Sequence, residues 1–211
     1  KIAASQAYGA EVILHGTGAD AFAKALSLAD EKGFVFLHPF DDQRVIAGAA
    51  SCGLEILEQV PDVEIVVVPI GGGGLIAGIA AGIKQAHPYV RIIGVEPDGA
   101  DSMYRSLKAG RALRMESPPK TIADGLAAPM AGEMCFDIVR QLVEEIVLVS
   151  DDEIAQAMSL ILTRTKILAE PAGAATTAAL LTGKIPTARG KRVVAVVSGG
   201  NVDLERLKAL L

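Results

Sequence analysis

Four consecutive glycines, Gly71, Gly72, Gly73 and Gly74, stand between an apolar run, Val66-Val67-Val68-Pro69-Ile70, and a stretch that reads as a helix, Leu75-Ile76-Ala77-Gly78-Ile79. This order of residue types suits anion binding. Glycine has no Cβ, so a ligand can approach the amide N–H groups of such a loop directly. The helix that follows adds unpaired donors and the positive end of its dipole. The chemistry is that of a phosphate cradle. A P-loop is disfavoured because no G-x-x-x-x-G-K-[ST] lysine is present, and a dinucleotide fold because there is no G-x-G-x-x-G fingerprint. The competing reading is a tight strand-to-helix turn in which the glycines serve geometry alone. A second glycine-bearing loop, Ser198-Gly199-Gly200-Asn201, follows Val196-Val197. Its serine hydroxyl can donate or accept a hydrogen bond without bringing charge. Taken alone, that loop has the composition of an ordinary turn.

Elements that position these loops alternate along the chain. Short strands are predicted at residues 11–14 and 35–37, with a helix over 20–32 between them that Gly33 stops. His38-Pro39-Phe40-Asp41-Asp42 reads as a turn whose acidic pair caps a helix running to Gln59, before Pro61. A fully apolar strand over 65–70, a helix over 75–86, a strand over 90–95 and a helix over 100–109 follow. Residues 114–132 read as a long loop. A helix over 133–142, a strand over 146–149, a capping box at Ser150-Asp151-Asp152-Glu153, a small-residue helix over 170–181 and a strand over 192–197 complete the pattern. Continuously apolar strands interleaved with helices predict a parallel sheet covered on both faces, so the fold class is α/β. In such sheets ligands sit beyond the carboxyl ends of strands, and both glycine loops lie there.

Composition narrows the partners. With 211 residues, 51% hydrophobic, the chain can bury a substantial core, yet it has no uncharged run of the roughly 20 residues a membrane span needs. The net charge of -5 and the scattered lysines and arginines give no basic stripe, so neither nucleic acid nor membrane is expected as a partner. Cys52 and Cys135 lie far apart without C-x-x-C or Cys/His partners, which reads as two buried thiols in a reducing cytoplasm. The residues from Lys1 to Gly9 read as a helix already under way that ends at a C-cap glycine, with no initiator methionine and no targeting segment.

Taken together, these motifs resemble the β-family (fold type II) of pyridoxal-phosphate enzymes, and within it the threonine and serine dehydratases (ammonia-lyases) with the similar serine racemases. The resemblance rests on Gln6-Ala7-Tyr8-Gly9-Ala10, His38-Pro39-Phe40-Asp41-Asp42, Val45-Ile46-Ala47-Gly48, the tetraglycine loop with its flanks, Gly94-Val95-Glu96-Pro97, Ile122-Ala123-Asp124-Gly125, Asp151-Asp152-Glu153-Ile154, Glu170-Pro171-Ala172-Gly173 and Ser198-Gly199-Gly200-Asn201-Val202-Asp203. It implies pyridoxal phosphate as cofactor, its phosphate held by Gly71, Gly72, Gly73, Gly74 and the amide of Leu75, and its pyridine nitrogen met by Ser198. Gly125 and Glu170 would lie near the cofactor ring and the amino-acid substrate. The implied reaction is β-elimination from L-threonine or L-serine to a 2-oxo acid and ammonia, within amino-acid metabolism such as isoleucine biosynthesis. Residues 1–39 would be a remnant of a small domain and residues 40–211 most of the large one. A homo-oligomer is expected, on the family's pattern and because an incomplete sheet exposes an edge.

Departures from the family pattern limit what the chain can do alone. The family's cofactor-bonded lysine lies in an S-F-K-x-R-G-A-like segment, followed by an S-x-N-H-x-Q-G-like loop, and neither motif occurs in this sequence. The ten lysines present read as solvated surface charges. The chain by itself is therefore expected to be inactive and to hold the cofactor non-covalently at best, with an amino-terminal chain as a candidate complementing partner. Ala49-Ala50-Ser51 stands where the family usually continues Q-G-T. A divalent cation is bound in some relatives by a glutamate, a carbonyl and an aspartate; Glu96 and Ala100 match the first two positions, but Ser102 stands at the third, with Asp101 one place early. Two readings remain beside the dehydratase: a lysine-independent binding module for a phosphorylated or amino-acid ligand, and an enzyme with another nucleophile.

Overall fold

The computed structural model describes residues 2–210; Lys1, which the sequence places in the first helix, and Leu211 lie outside the described residues. The chain divides into two compact units, residues 1–38 and 39–211. In the first, α1 (Ile2–Ala7) is followed by α2 (Gly18–Lys32). Thr17 caps α2 in a reciprocal box with Asp20, and Gly33 closes it in the left-handed conformation. The strands predicted at 11–14 and 35–37 do not form. Their residues have no ladder partner among the described residues, and Leu14, Val35 and Leu37 are exposed. Alternating or apolar residues favour extended backbone, but only a neighbouring strand makes it a sheet.

The second unit begins with α3 (Gln43–Gln59), capped by Asp42, and continues with β1 (Ile65–Pro69), α4 (Gly74–Ala86), β2 (Arg91–Pro97), α5 (Ser102–Ala109), α6 (Glu133–Leu142), β3 (Glu145–Val149), α7 (Asp151–Thr165), α8 (Pro171–Leu181), β4 (Val193–Ala195) and α9 (Leu204–Leu210). The four strands form one parallel sheet in the order β3-β2-β1-β4. Every residue of β1 is buried. Val66 and Val68 face a cluster with Ile76, Ile79 and Ile83 of α4 and Phe136 and Val139 of α6, whereas Ile65 and Val67 face Ile154, Met158 and Ile161 of α7 and the alanines of α8. Such two-sided burial is why β1 lacks polar alternation. The α/β class with helices on both faces is thus the observed architecture.

Helix α4 lies against α3 at very short range. A Cβ on Gly53 would meet the Ile79 carbonyl oxygen at 2.7 Å, and one on Gly82 would meet that of Ala50 at 2.7 Å. Glycines here let two backbones approach as side chains would not.

Strand order fixes where a ligand can bind. After β1 the chain crosses to β2 and β3, then returns to place β4 on the other side of β1. The connection from β1 enters α4 on one face, and that from β4 leads to α9, whose Leu207 and Leu210 pack on the opposite face. The carboxyl ends of β1 and β4 are therefore a topological switch point, with a crevice between diverging connections.

Candidate cofactor-phosphate site

The tetraglycine loop leaves β1 at this crevice. Gly73 adopts φ +104° and caps α4 without a side chain, so the turn requires a residue free of a Cβ. The loop is also pressed from behind. A Cβ on Gly73 would meet Met103 Cε at 2.6 Å and Cys135 Cβ at 2.8 Å, one on Gly74 would meet the Phe40 carbonyl oxygen at 2.8 Å, and one on Gly72 would overlap the Phe40 ring. Geometry and packing thus account for the absence of side chains.

They do not account for the amides. Among the described residues, the N–H groups of Gly71, Gly72, Gly73, Gly74, Leu75 and Ile76 find no backbone acceptor, although Gly72, Gly73, Gly74 and Ile76 are buried. The next amide, that of Ala77, already bonds Gly73 O at 2.9 Å. Buried backbone donors are almost always paired, so a run of them without backbone acceptors suits a ligand rich in acceptor oxygens. A phosphate at a helix N-terminus supplies those oxygens and the matching charge.

The remaining sequence-predicted residues converge on the same rim. Val67 pairs with Ala195, and Val196 N donates to Val67 O at 3.0 Å, so Ser198 leaves the sheet at the same level as Ile70. Ser198 is exposed there. A Cβ on Gly71 would lie 3.3 Å from Gly125 O, and one on Gly125 would lie 3.3 Å from Glu170 Oε1. Glu170 N donates to Gly199 O at 3.0 Å, and a Cβ on Gly199 would lie 2.6 Å from Glu170 Oε1. Gly71, Gly125, Glu170 and Gly199 therefore form one continuous line of contact joining the two glycine loops. Glu170 Oε2 is buried without a hydrogen-bond partner. An unsatisfied buried acceptor at this place fits a site completed by a donor on a bound group.

Two acidic residues hold these parts in place in ways the sequence does not reveal. The sequence assigns Asp41 and Asp42 together to the cap of α3, but the cap is made by Asp42. Asp41 reaches across to α6 and accepts from Glu133 N at 3.0 Å and Cys135 N at 3.1 Å, fastening the helix behind the tetraglycine loop. Asp151 opens α7 and accepts from Thr121 Oγ1 at 2.6 Å and Ile122 N at 3.0 Å, while Arg206 donates to Ile122 O at 2.6 Å. Those bonds pin the loop that carries Gly125. Tandem acids are the one sequence signal for the first clamp, since a single helix needs only one.

Glu96 sits at the end of β2 and is completely buried. Its carboxylate accepts from the amides of Met103 and Tyr104, both at 2.8 Å, so it caps α5 from the strand. Burial pushes its pKa up to about 8, against the pull of those two amides. A cation at Glu96 and the Ala100 carbonyl would compete with the Met103 and Tyr104 donors. Among the described residues no group of three His, Cys, Asp or Glu side chains is placed to hold a metal. Cys135 is buried, its pKa pushed up to about 12 chiefly by burial, which keeps it a thiol.

Residues 1–199 match the family described as pyridoxal-phosphate dependent enzyme. The chain belongs to that family. An L-threonine ammonia-lyase of Geobacter sulfurreducens is 47% identical over all of this chain and 52% of its own length. Of solved structures, a threonine deaminase from T.th. superposes with a TM-score of 0.91 at 42% identity, covering 97% of this chain and 67% of that one. Maize serine racemase does so with 0.92 at 36%, covering 99% and 64%. The chain spans about half the length of the curated threonine ammonia-lyases it matches first. The fold of the chain matches that of the threonine deaminase and serine racemase structures. No helix among the described residues is long and apolar enough to cross a membrane.

Proposed function

We propose that this chain is the cofactor-cradling part of a dehydratase that eliminates water from L-threonine or L-serine, giving a 2-oxo acid and ammonia. The observation that carries the reading is the run of amides from Gly71 to Ile76, four of them in buried residues, without backbone acceptors at the switch point of the sheet. Bound pyridoxal phosphate supplies an electron sink for the bond broken at the substrate α-carbon. The chain's own residues bind and orient it. The amides of Gly71, Gly72, Gly73, Gly74 and Leu75 hold the phosphate. Ser198 would offer the pyridine nitrogen a neutral hydroxyl, which would leave that nitrogen largely unprotonated and the ring a weaker electron sink, suited to β-elimination rather than to a long-lived carbanion. Gly125 leaves room beside the ring, and Glu170 Oε2 accepts a hydrogen bond from the bound group.

By the same reading the base that takes the α-proton is a lysine outside these 211 residues. Five of the ten lysines here, Lys84, Lys166, Lys184, Lys191 and Lys208, are engaged with carbonyls or carboxylates. The half-buried β4 at the sheet edge favours a homo-oligomer.

Calorimetry on the 211-residue chain should show pyridoxal phosphate binding more tightly than inorganic phosphate and competing with it. Borohydride should trap no stoichiometric adduct, and L-threonine should yield no 2-oxobutanoate until the lysine-bearing segment is supplied. A single reduced lysine, or turnover by the chain alone, would overturn the lysine assignment. Preference for another phosphorylated ligand would turn the reading toward a binding module. Chiral analysis of L-serine in the reconstituted protein separates elimination from racemisation.

A further inference from the structure

A cavity of about 450 Å³ lies beside α5, lined by Ser102 and Arg105 of that helix and by Arg111, Leu113, Arg114, Met115 and Glu116 of the loop that follows. None of these residues belongs to the cofactor cradle. In a chain of net charge -5, gathering three of its ten arginines around one cavity is a local reversal of sign. Two carboxylates oppose them. Asp101, nearly buried, holds Arg105 Nε at 2.8 Å, and Glu116 adds a second negative charge near Arg105. One positive charge is left over.

The guanidiniums differ in how they are held. Arg105 is fixed by Asp101, and Arg114 makes only a contact with Met130 Sδ at 3.1 Å. Arg111 has no side-chain partner among the described residues. A thioether is a weak acceptor, so Arg111 and Arg114 keep nearly their full hydrogen-bonding capacity. The loop bearing them is tied down at Arg111 N, which donates to Ser106 O, at Leu113 N, which donates to Ser106 Oγ at 2.9 Å, and by the antiparallel bridge of Arg114 to Met130. Independent of the arginines, Ser102 is 1% exposed, lines the cavity, and its Oγ is buried with no hydrogen-bond partner. A buried hydroxyl left unsatisfied is a costly arrangement that a bound acceptor relieves.

We propose that this cavity binds a small polyanion carrying two or more carboxylate or phosphate groups. Arg111 and Arg114 each grip one group through two parallel N–H donors, and Ser102 Oγ donates to a third oxygen. The volume is that of a metabolite site rather than of a single inorganic ion. The cavity also adjoins the cradle, since Met103, the residue after Ser102, packs against Gly73.

Citrate and pyrophosphate serve as probes of the two chemistries, titrated by calorimetry into the full chain with and without saturating pyridoxal phosphate. At least one of them should bind with unit stoichiometry in both conditions, the tighter one naming the chemistry. Arg111→Ala/Arg114→Ala, which alters only exposed side chains, should weaken that binding by about tenfold or more. Arg140→Ala, an exposed arginine paired with Asp137 on α6, should leave it unchanged. Unaltered affinity in the double variant, loss of binding once pyridoxal phosphate is present, or no binding of either probe at millimolar concentration would each overturn the proposal.

Discussion

At Gly73 backbone geometry and packing impose the same demand. With φ at +104° and two side chains within 2.8 Å of where a Cβ would stand, Gly73→Ala should cost about 2 kcal/mol or more, read from the denaturant midpoint. It should also weaken pyridoxal phosphate binding, because the amides it displaces are those proposed to hold the phosphate. Glu96 makes a prediction in pH. Its folded pKa of about 8 lies above the ordinary value of 4.5, so the folded state holds the proton more tightly than the unfolded chain. The stability that follows is complete below about pH 4.5 and is lost as pH rises through 8. Thermal midpoints between those limits should fall with pH in the native chain, and Glu96→Gln should flatten that slope. An unchanged slope would mean that the amides of Met103 and Tyr104 keep the carboxylate ionised.

Among elements, the pair α3 and α4 tests packing against propensity. Replacing a helical glycine by alanine ordinarily stabilises by about 1 kcal/mol. Gly48, on the exposed side of α3 with nothing within 4 Å of a Cβ, should follow that rule. Gly82→Ala should do the opposite, since its Cβ would stand 2.7 Å from the Ala50 carbonyl oxygen and the two backbones would have to part. Equal effects at the two positions, measured by equilibrium unfolding, would refute the close-approach account. Asp41→Ala removes the acceptor for two first-turn amides of α6 and should cost about 1 kcal/mol, with the loss felt behind the tetraglycine loop rather than in α3. The sequence shows α3, α4, α6 and α7 clearly, because Asp42, the glycines after β1, Gly132 and the Ser150–Glu153 box mark their starts. It does not show which acid serves which helix, since a side chain that caps a helix far along the chain leaves no local pattern.

Across the molecule, the two units should differ in protection. No described residue of 1–38 is buried, whereas β1 and most of α4 are fully enclosed. Hydrogen exchange should therefore find the amides of α1 and α2 opening far more readily than those of β1 and β2, which exchange only with global unfolding. The α/β class, the order of most elements, the strand–glycine–helix turn and the family resemblance are all legible in the residues alone, because each rests on local periodicity, local caps or contiguous motifs. The site itself is not. Only the return of β4 beside β1 makes a crevice of two loops separated by more than a hundred residues, and only packing brings Gly71, Gly125, Glu170 and Gly199 into one line. Two short segments near the amino terminus that look like strands remain irregular for the converse reason. A helix carries its hydrogen bonds within itself, but a strand, like a binding site, exists only through residues remote in the chain.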